Sequence, residues 1–303
     1  MFPLIGLVII AIIYFQLSDR IESLDFSNIS VTSIVFPYLI GSFLLMFLNW
    51  ALEAIKWGTL VDLFQKLSFR TKLTSVFMGL SVGFLTPNRV GDFAGRLRYI
   101  HPENRLQSIH ASFVASIYQT AVTILIGGCG LVYWMNQAVF SFSQEKLIYF
   151  VSIFTVLSFV ILVFRMKLLI LIVLKVKWLT KFSDRFNWFI NVDKLVLQKV
   201  FVLALVRYLV FMLQYFLIIK AFQIEAPYIL VVSAISTIYL LTTIIPTSTL
   251  SDLLLRGAVN LLIFGTFISS EEVILIIAAL VWGINIVIPS LIGTGLFILN
   301  RSK

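Results

Sequence analysis

The sequence predicts an all-α integral membrane protein with about six transmembrane helices plus two re-entrant helical hairpins, arranged as an inverted repeat. Three observations lead to this prediction. The 303 residues are 60% hydrophobic and only 12% charged, about half of the roughly 25% that a soluble domain carries. Apolar runs close to the ~20 residues that cross hydrocarbon as a helix recur along the chain. Basic residues are concentrated in alternate connections between these runs.

Hydropathy divides the chain into long and short segments. Full-length spans are predicted at about 2–17, 34–57, 109–134, 147–164, 200–220 and 273–299. The short segments are an apolar run at 72–86 with a polar helix at 88–100, and a pair at 227–245 and 250–268. We expect each pair to form a re-entrant hairpin lining a wet cavity, where non-helical backbone at membrane depth is tolerated. Two short full spans in either place would leave the topology unchanged.

The charges between the spans predict the orientation. The connection after the first span is net acidic, whereas those at 56–72, 96–105 and 165–199 are basic. The positive-inside rule therefore places both termini in the cytoplasm of a multi-pass protein of the cell (inner or plasma) membrane. The stretch 165–199, with aromatic residues among its lysines and arginines, resembles an interfacial helix on anionic lipid. We expect no nucleic-acid partner despite the net charge of +9.

Two stretches of the chain resemble one another. Residues 49–57 align without gaps with residues 207–215, and a glutamine follows eight positions after each stretch. A proline-led segment comes next, with an aspartate and then an arginine four residues later. These residues are Pro87, Asp92 and Arg96 in the first copy and Pro246, Asp252 and Arg256 in the second. Because the aligned spans run in opposite directions, we predict that 1–134 and 145–303 form inverted repeats of one membrane domain, as in many transporters.

The proline-led segments are the candidate binding site. An aspartate and an arginine four residues apart share one helix face, so each pair could either close on itself or hold a ligand. Thr86-Pro87 is typical of an N-cap followed by a first-turn proline, and Thr249 with Asp252 has a capping-box-like spacing. A helix that starts at Pro87 would offer free N–H groups to a phosphate. The predicted substrate-binding residues are Arg89, Asp92, Arg96, Asp252, Arg256, Arg207 and Asn88.

Other charged and small residues complete the prediction. Arg89 has no obvious local partner, whereas Arg207, well inside a span, is expected to be paired or to face a cavity. Glu53 and Lys56 are expected to anchor a helix at the membrane interface, with their charged ends reaching water. The glycine pairs 79/83 and 91/95 are expected to bring the arms of the first hairpin together. With one cysteine, two histidines and no glycine-rich phosphate loop, we predict no catalytic residue, metal centre or cofactor.

At these residues the chain resembles the transmembrane, flippase-like domain of lysylphosphatidylglycerol synthases and its stand-alone relatives. The family's first motif reads here as PNRVGDFAGR from Pro87 to Arg96, with Asp92 where glutamate is commoner. Lys56-Trp57 stands where the family has Arg-Trp, and the resemblance covers about 34–299. We expect a stand-alone member without the aminoacyl-transferase domain. The resemblance implies movement of a modified lipid between leaflets, which is aminoacylated phosphatidylglycerol in the best-known members.

The favoured function is therefore a flippase-like transporter of a lipid with a polar, phosphate-containing headgroup. Its partners would be membrane lipids, anionic or polyprenyl-phosphate-linked, and homo-oligomerisation stays open. One alternative is a membrane-embedded glycosyl- or acyl-transferase with a lipid-linked substrate, in which Asp92 or Asp252 would act as base or metal ligand. The other is a noncatalytic partner of an envelope-lipid enzyme.

Overall fold

The computed structural model describes residues 34–86, 89–137, 192–245, 247 and 249–299. The predicted spans at 2–17 and 147–164, most of the basic stretch 165–199, and Pro87, Asn88 and Pro246 lie outside the described residues. All elements within these ranges are helical, as predicted. They are α1 (Phe36–Val61), α2 (Phe69–Phe84), α3 (Gly91–Gly95), α4 (Arg105–Gln137), α5 (Lys194–Ala221), α6 (Tyr228–Ile244), α7 (Thr249–Phe264), α8 (Glu271–Trp282) and α9 (Ile288–Leu299).

Within the described residues, four helical stretches are long and apolar enough to cross a membrane. They are Phe36–Val61, Pro102–Asn136, Lys194–Ala221 and Glu271–Leu299. They coincide with the predicted spans at 34–57, 109–134, 200–220 and 273–299. The last stretch differs from a plain helix, because a π-helical turn at Gly283–Val287 joins α8 to α9.

Side-chain caps begin several of these helices where the connections end. Ser68 accepts a hydrogen bond from the Thr71 backbone N–H at the start of α2. Asp193 does the same for Leu195 at the start of α5, and Ser270 for Val273 at the start of α8. Such caps satisfy backbone donors that have no partner within the helix.

The helices expose many large apolar side chains and bury several polar and charged ones beside an apolar core, which is unusual for a soluble protein. Leu44 on α1 is 61% exposed and Leu209 on α5 is 51% exposed. Lys56, by contrast, is 1% exposed and Asn49 is fully buried on the same α1. This arrangement is expected for a protein surrounded by lipid, because the exposed leucines contact the lipid tails and the buried polar groups bind one another inside the protein.

Two central helices, α1 and α5, pack along one another and carry the polar interior between them. Helix α4 packs against α6, and α9 packs against α2. Glycines permit both of these contacts at short range. A Cβ on Gly130 of α4 would lie 2.6 Å from Ser236 Cβ, and one on Gly293 of α9 would lie 2.6 Å from the Phe77 carbonyl carbon.

The first hairpin is closed by the predicted glycine pairs. Gly95 of α3 faces Gly79 of α2 so closely that a Cβ on Gly95 would lie 2.6 Å from the Gly79 Cα. A Cβ on Gly83 would lie 3.2 Å from Asp92 Cβ. Small residues at these positions therefore let the two arms approach through their backbones.

The prediction that a helix starts at Pro87 is not tested, because Pro87 and Asn88 lie outside the described residues. Arg89 has a φ of 56°, a left-handed conformation, and the α-helix of this segment, α3, begins only at Gly91. Thr86 still caps this segment, since its hydroxyl accepts from the Gly91 N–H at 2.8 Å. The short α3 continues into a 3-10 turn at Arg96–Tyr99. Arg89 therefore lies in the turn between the hairpin arms, before the start of α3.

Candidate binding site

A cavity of about 170 Å³ lies where the tip of the first hairpin meets α6, α7 and the central helices. Its polar walls come from both halves of the chain, and its apolar walls come mostly from aromatic rings. The residues that line it are Trp50, Arg89, Gln119, Thr123, Tyr208, Phe211, Tyr239, Thr243, Arg256, Val281, Asn285 and Ile286.

Arg89 supplies the cavity with a charge that no described residue pairs. The turn between α2 and α3 places its partly buried side chain on the cavity wall. Among the described residues, its guanidinium makes no hydrogen bond or ion pair. It is within electrostatic range of Asp92, Arg96, Asp252 and Arg256, so both proline-led segments contribute charges here.

Arg256 is the second arginine of the cavity wall. On α7 it pairs with Asp252 through a 3.0 Å contact between Nε and Oδ2, the i, i+4 pair that the sequence predicted. Its backbone carbonyl accepts from Asn260 Nδ2 at 2.7 Å, and Asn260 Oδ1 accepts a hydrogen bond from the Tyr215 hydroxyl. This chain of contacts ties Arg256 to the central helix α5.

Glu53 is the centre of a buried charge cluster beside the cavity. Its carboxylate lies 2.7 Å from Lys56 Nζ, 3.1 Å from Arg96 Nη1 and 3.1 Å from Arg207 Nη1. The three cations come from α1, the 3-10 turn after α3, and α5. One carboxylate therefore joins both central helices and the first hairpin.

The charged ends of Glu53 and Lys56 therefore do not reach water, and the prediction that they do is wrong. Glu53 is 5% exposed and Lys56 is 1% exposed. Burial of a charge is costly unless it is paired and hydrogen-bonded, and here the pairing comes from Arg96 and Arg207, which are distant in sequence. Lys56 also donates to Gln119 Oε1 at 3.0 Å.

Arg96 is held by two carboxylates and does not line the cavity. It binds Asp92 through two bonds, Nε to Oδ1 at 3.1 Å and Nη2 to Oδ2 at 2.8 Å. Its Nη1 donates to Glu53, and its guanidinium carbon lies 5.7 Å from the centre of the Trp57 ring. The predicted Asp92–Arg96 pair thus exists, and its geometry indicates that Arg96 joins the hairpin to α1.

Arg207 is paired, as expected for a charge inside a span. Besides Glu53, its Nε donates to Asn49 Oδ1 at 2.7 Å and its Nη1 to Gln119 Oε1 at 3.3 Å. Its guanidinium lies over the rings of Trp50, at 4.9 Å, and Phe211, at 5.0 Å. Since those two rings also line the cavity, Arg207 stands directly behind its wall.

Three polar groups of the cavity wall have no hydrogen-bond partner among the described residues. They are the Trp50 indole Nε1, a donor, the Tyr208 hydroxyl, and Asn285 Oδ1, an acceptor. Trp50 is 4% exposed and Asn285 6% exposed. Asn285 lies in the π-helical turn, a feature that often marks functional sites, and its Nδ2 donates to the Val281 carbonyl at 3.1 Å. Buried groups of this kind usually acquire a partner.

The sequence did not point to Gln119, Tyr239 or Asn285. Each lies in an apolar run that contains no charged residue. Hydropathy alone does not show whether such an uncharged polar residue lines a cavity or packs against a neighbouring helix. Asn88, which was predicted to bind substrate, lies outside the described residues. Of the other predicted residues, Arg89 and Arg256 line the cavity, while Asp92, Arg96, Asp252 and Arg207 hold charges around it.

These features define a polytopic, all-α membrane protein with a buried charge cluster beside a small polar cavity. The family model described as the lysylphosphatidylglycerol synthase TM region matches residues 4–293, and the chain belongs to this family. The family prediction made from the Pro87–Arg96 motif is confirmed, and a membrane-lipid-related function follows from it. No curated protein and no solved structure matches the chain.

Proposed function

We propose that this protein moves a lipid with a phosphate-containing headgroup between the two leaflets. The observation that carries the proposal is Arg89, a guanidinium on a cavity wall with no hydrogen-bonding or ion-pair partner among the described residues. A charge inside a membrane protein is costly and usually marks a site of function. Guanidinium groups bind phosphate oxygens through paired, charge-assisted hydrogen bonds, and Arg256 lines the same cavity.

The size of the cavity supports headgroup binding. Its volume of about 170 Å³ is below the roughly 300–1,000 Å³ of sites that enclose whole small ligands. A phosphate and a small polar substituent suit this volume, while the acyl chains would remain in hydrocarbon. The aromatic side chains of Trp50, Phe211 and Tyr239 would then cover the less polar part of the headgroup.

The transferase alternative is less well supported. A general base or metal ligand needs an available carboxylate, but Asp92 is bound by Arg96 and Asp252 by Arg256. Glu53 has three cationic neighbours. Each acidic side chain in this region is thus already engaged in holding a cation.

The packing of the helices supports the proposed inverted repeat. In that repeat, α2 corresponds to α6 and α4 corresponds to the stretch α8–α9. A two-fold axis would then exchange the α4–α6 contact with the α9–α2 contact, and both contacts are present with close-packed glycines. Inverted repeats with broken helices at the substrate site are common in transporters. We accordingly propose that the α2–α3 and α6–α7 pairs are re-entrant hairpins entering from opposite faces.

The proposed orientation in the plasma membrane, with both termini and 165–199 cytoplasmic, can be tested by cysteine labelling. Cys129 is the only cysteine in the sequence, so a Cys129→Ser background is cysteine-free. A cysteine replacing Lys181 should resist impermeant reagents in intact cells, while one replacing Ser269 should react. External labelling at position 181 would contradict this orientation.

The transport proposal is tested in liposomes of defined lipids that contain the purified protein. The exchange of phospholipids with a fluorescent acyl chain between the leaflets is measured by chemically quenching the fluorophores in the outer leaflet. Because a charge-assisted hydrogen bond contributes roughly 1.5–3 kcal/mol, Arg89→Gln should slow exchange about tenfold or more. The variant should keep the thermal stability of the unaltered protein in detergent, since Arg89 pairs with no described residue.

Arg105→Gln is the matched control, because Arg105 is exposed at the start of α4 and does not line the cavity. Its exchange rate should equal that of the unaltered protein. Exchange no faster than in protein-free liposomes, for every lipid tried, would overturn the proposal. Equal rates for Arg89→Gln and Arg105→Gln would remove Arg89 from the mechanism.

A further inference from the structure

The interior of the described protein carries more positive than negative charge. Its cations are Lys56, Arg89, Arg96, Arg207 and Arg256, and its carboxylates are Glu53, Asp92 and Asp252. Five cations thus face three carboxylates, an excess of two positive charges. The remaining described aspartates and glutamates lie at the ends of helices or in the connections between them.

The apolar runs that lie outside the described residues contain no carboxylate that could offset the two excess positive charges. The predicted spans at 2–17 and 147–164 contain no aspartate and no glutamate. An acidic residue from these two runs is therefore not available as the missing counter-ion. Since uncompensated charge inside a membrane protein costs several kcal/mol, an anionic ligand is the natural source of balance.

The excess charge is concentrated at the cavity. Glu53 and Asp92 are both engaged by Arg96, and Asp252 is engaged by Arg256. Arg89 is the cation left over on the cavity wall, and Arg207 stands behind Trp50 and Phe211. A headgroup in this cavity would meet a positive potential, which favours net negative charge and opposes an ammonium group.

Asn285 adds a second requirement. Its Oδ1 is an acceptor without a described partner, while its Nδ2 is already used by the Val281 carbonyl. A ligand that satisfies it must bring a hydrogen-bond donor. A hydroxyl provides that donor without charge, whereas an amine would add positive charge beside Arg89 and Arg256.

We infer that the cavity selects a net anionic headgroup, a phosphate ester with at least one free hydroxyl, and rejects headgroups that carry an ammonium group. Phosphatidylglycerol has this chemistry, and phosphatidylethanolamine and aminoacylated phosphatidylglycerol lack it. The inference rests on the proposed function in taking a membrane lipid as the ligand of this cavity. It differs from the aminoacylated lipid that the family resemblance implied.

Lipid binding by the purified full-length protein in detergent tests this selectivity without requiring transport. Fluorescent acyl-labelled phosphatidylglycerol, phosphatidylethanolamine and lysylphosphatidylglycerol are titrated against the same sample. We expect the Kd for phosphatidylglycerol to be at least about tenfold lower than for the other two, the effect of one well-placed charge interaction. Equal or tighter binding of either amine-bearing lipid would overturn the inference.

Two variants assign the selectivity to the cavity. Arg89→Gln removes one surplus charge, so it should weaken phosphatidylglycerol binding and reduce the preference over phosphatidylethanolamine. Asn285→Leu should weaken phosphatidylglycerol binding several-fold but leave unchanged the binding of phosphatidic acid at an alkaline pH, where its phosphate is fully ionised and has no hydroxyl donor. Arg105→Gln should change neither affinity. If Arg89→Gln and Asn285→Leu both keep the full preference for phosphatidylglycerol over phosphatidylethanolamine, the proposed site is wrong. If only one of the two variants is stable enough to titrate, a full preference in that variant leads to the same conclusion.

Leaflet exchange of the same lipids separates this inference from the proposed function. Selective binding of phosphatidylglycerol without any exchange would contradict transport and support the ligand assignment. Rapid exchange of amine-bearing lipids in preference to phosphatidylglycerol would support transport and overturn the ligand assignment.

Discussion

Arg207 donates a 2.7 Å hydrogen bond to Asn49, and these two residues occupy matched positions, the first of each of the aligned stretches 49–57 and 207–215. When equivalent residues of two repeats touch one another, the axis that relates the repeats must pass between them. In an inverted repeat, the axis would therefore cross the α1–α5 interface at this bond. The cavity, lined by Trp50 and Tyr208, begins at the next matched pair.

The Asn49–Arg207 bond should stabilise the contact between α1 and α5. Asn49→Ala should lower the free energy of unfolding by roughly 1.5–3 kcal/mol, the value of a hydrogen bond to a charged group. Arg207→Gln should cost more, because it also leaves Glu53 with one cation fewer. Thermal denaturation in detergent, followed by fluorescence, measures both changes.

The double variant shows whether the two residues act as a unit. We expect its destabilisation to be smaller than the sum of the single effects by roughly 0.5–3 kcal/mol, as for residues in direct contact. Strict additivity would mean that the bond contributes nothing to stability. Asn49→Ala combined with Asp62→Asn, at the far end of α1, should be additive and serves as the control cycle.

Hydropathy and charge patterning were sufficient to predict the helical fold. The span predicted at 34–57 corresponds to α1, and the short segments predicted at 227–245 and 250–268 correspond to α6 and α7, each within a few residues. The reason is physical, because a membrane interior forces backbone groups into helices and makes apolar length directly visible in the sequence. The glycine contacts of the first hairpin were predictable for a similar reason, since their spacing of four places both glycines on one face.

The interior charges were harder to predict, because their partners are far away in the sequence. Glu53 and Lys56 lie near one end of an apolar run, where anchoring at an interface is the usual outcome. Besides the local Glu53–Lys56 pair, Arg96 and Arg207, which lie 43 and 154 positions from Glu53, supply the contacts that make burial acceptable. The left-handed φ of Arg89 was not predictable from the composition of Thr86-Pro87, and the α-helix of this segment begins at Gly91.

Glu53 should be the most sensitive carboxylate of the protein. Glu53→Gln removes one negative charge from three cations, and breaking a buried ion pair costs about 3–5 kcal/mol. The control is Asp62→Asn, because the Asp62–Lys72 pair is partly exposed and such pairs contribute about 0–1 kcal/mol. Thermal denaturation in detergent and yield from the membrane should both fall far more for Glu53→Gln. Equal effects would show that the charge cluster is not a stability centre.

Two glycines on α9 provide a matched test of helix packing. Gly293→Ala should separate α9 from α2, because the added Cβ would lie 2.6 Å from the Phe77 carbonyl carbon and 3.1 Å from Ser81 Cβ. Overpacking of this kind costs about 1–3 kcal/mol. Gly295→Ala, two residues further on, meets nothing within 4 Å and should be neutral or slightly stabilising. If both variants have the same melting temperature, the α2–α9 contact is not close-packed.

The two aspartate–arginine pairs should respond differently to exchange of their residues. In the first pair, Arg96 binds Glu53 as well as Asp92. The swap Asp92→Arg with Arg96→Asp would place a new carboxylate against Glu53, and like charges repel at this distance. We expect the swapped protein to be as unstable as Arg96→Ala alone. In the second pair, Asp252 is the only described side chain that pairs with the Arg256 guanidinium, so the swap Asp252→Arg with Arg256→Asp should preserve most of the stability.

Activity should distinguish the second swap further. Arg256 lines the cavity, and the exchange moves its guanidinium four residues along α7, which is about one helical turn or 5–6 Å. The Asp252/Arg256 swap should therefore give a stable protein whose leaflet exchange is at least about tenfold slower, as for the loss of a charge-assisted contact to a phosphate. Thermal stability in detergent and exchange in liposomes are measured on the same preparations. Full activity of the Asp252/Arg256 swap would mean that this pair only stabilises α7. A stable Asp92/Arg96 swap would mean that the burial of Glu53 does not require the ion pair with Arg96.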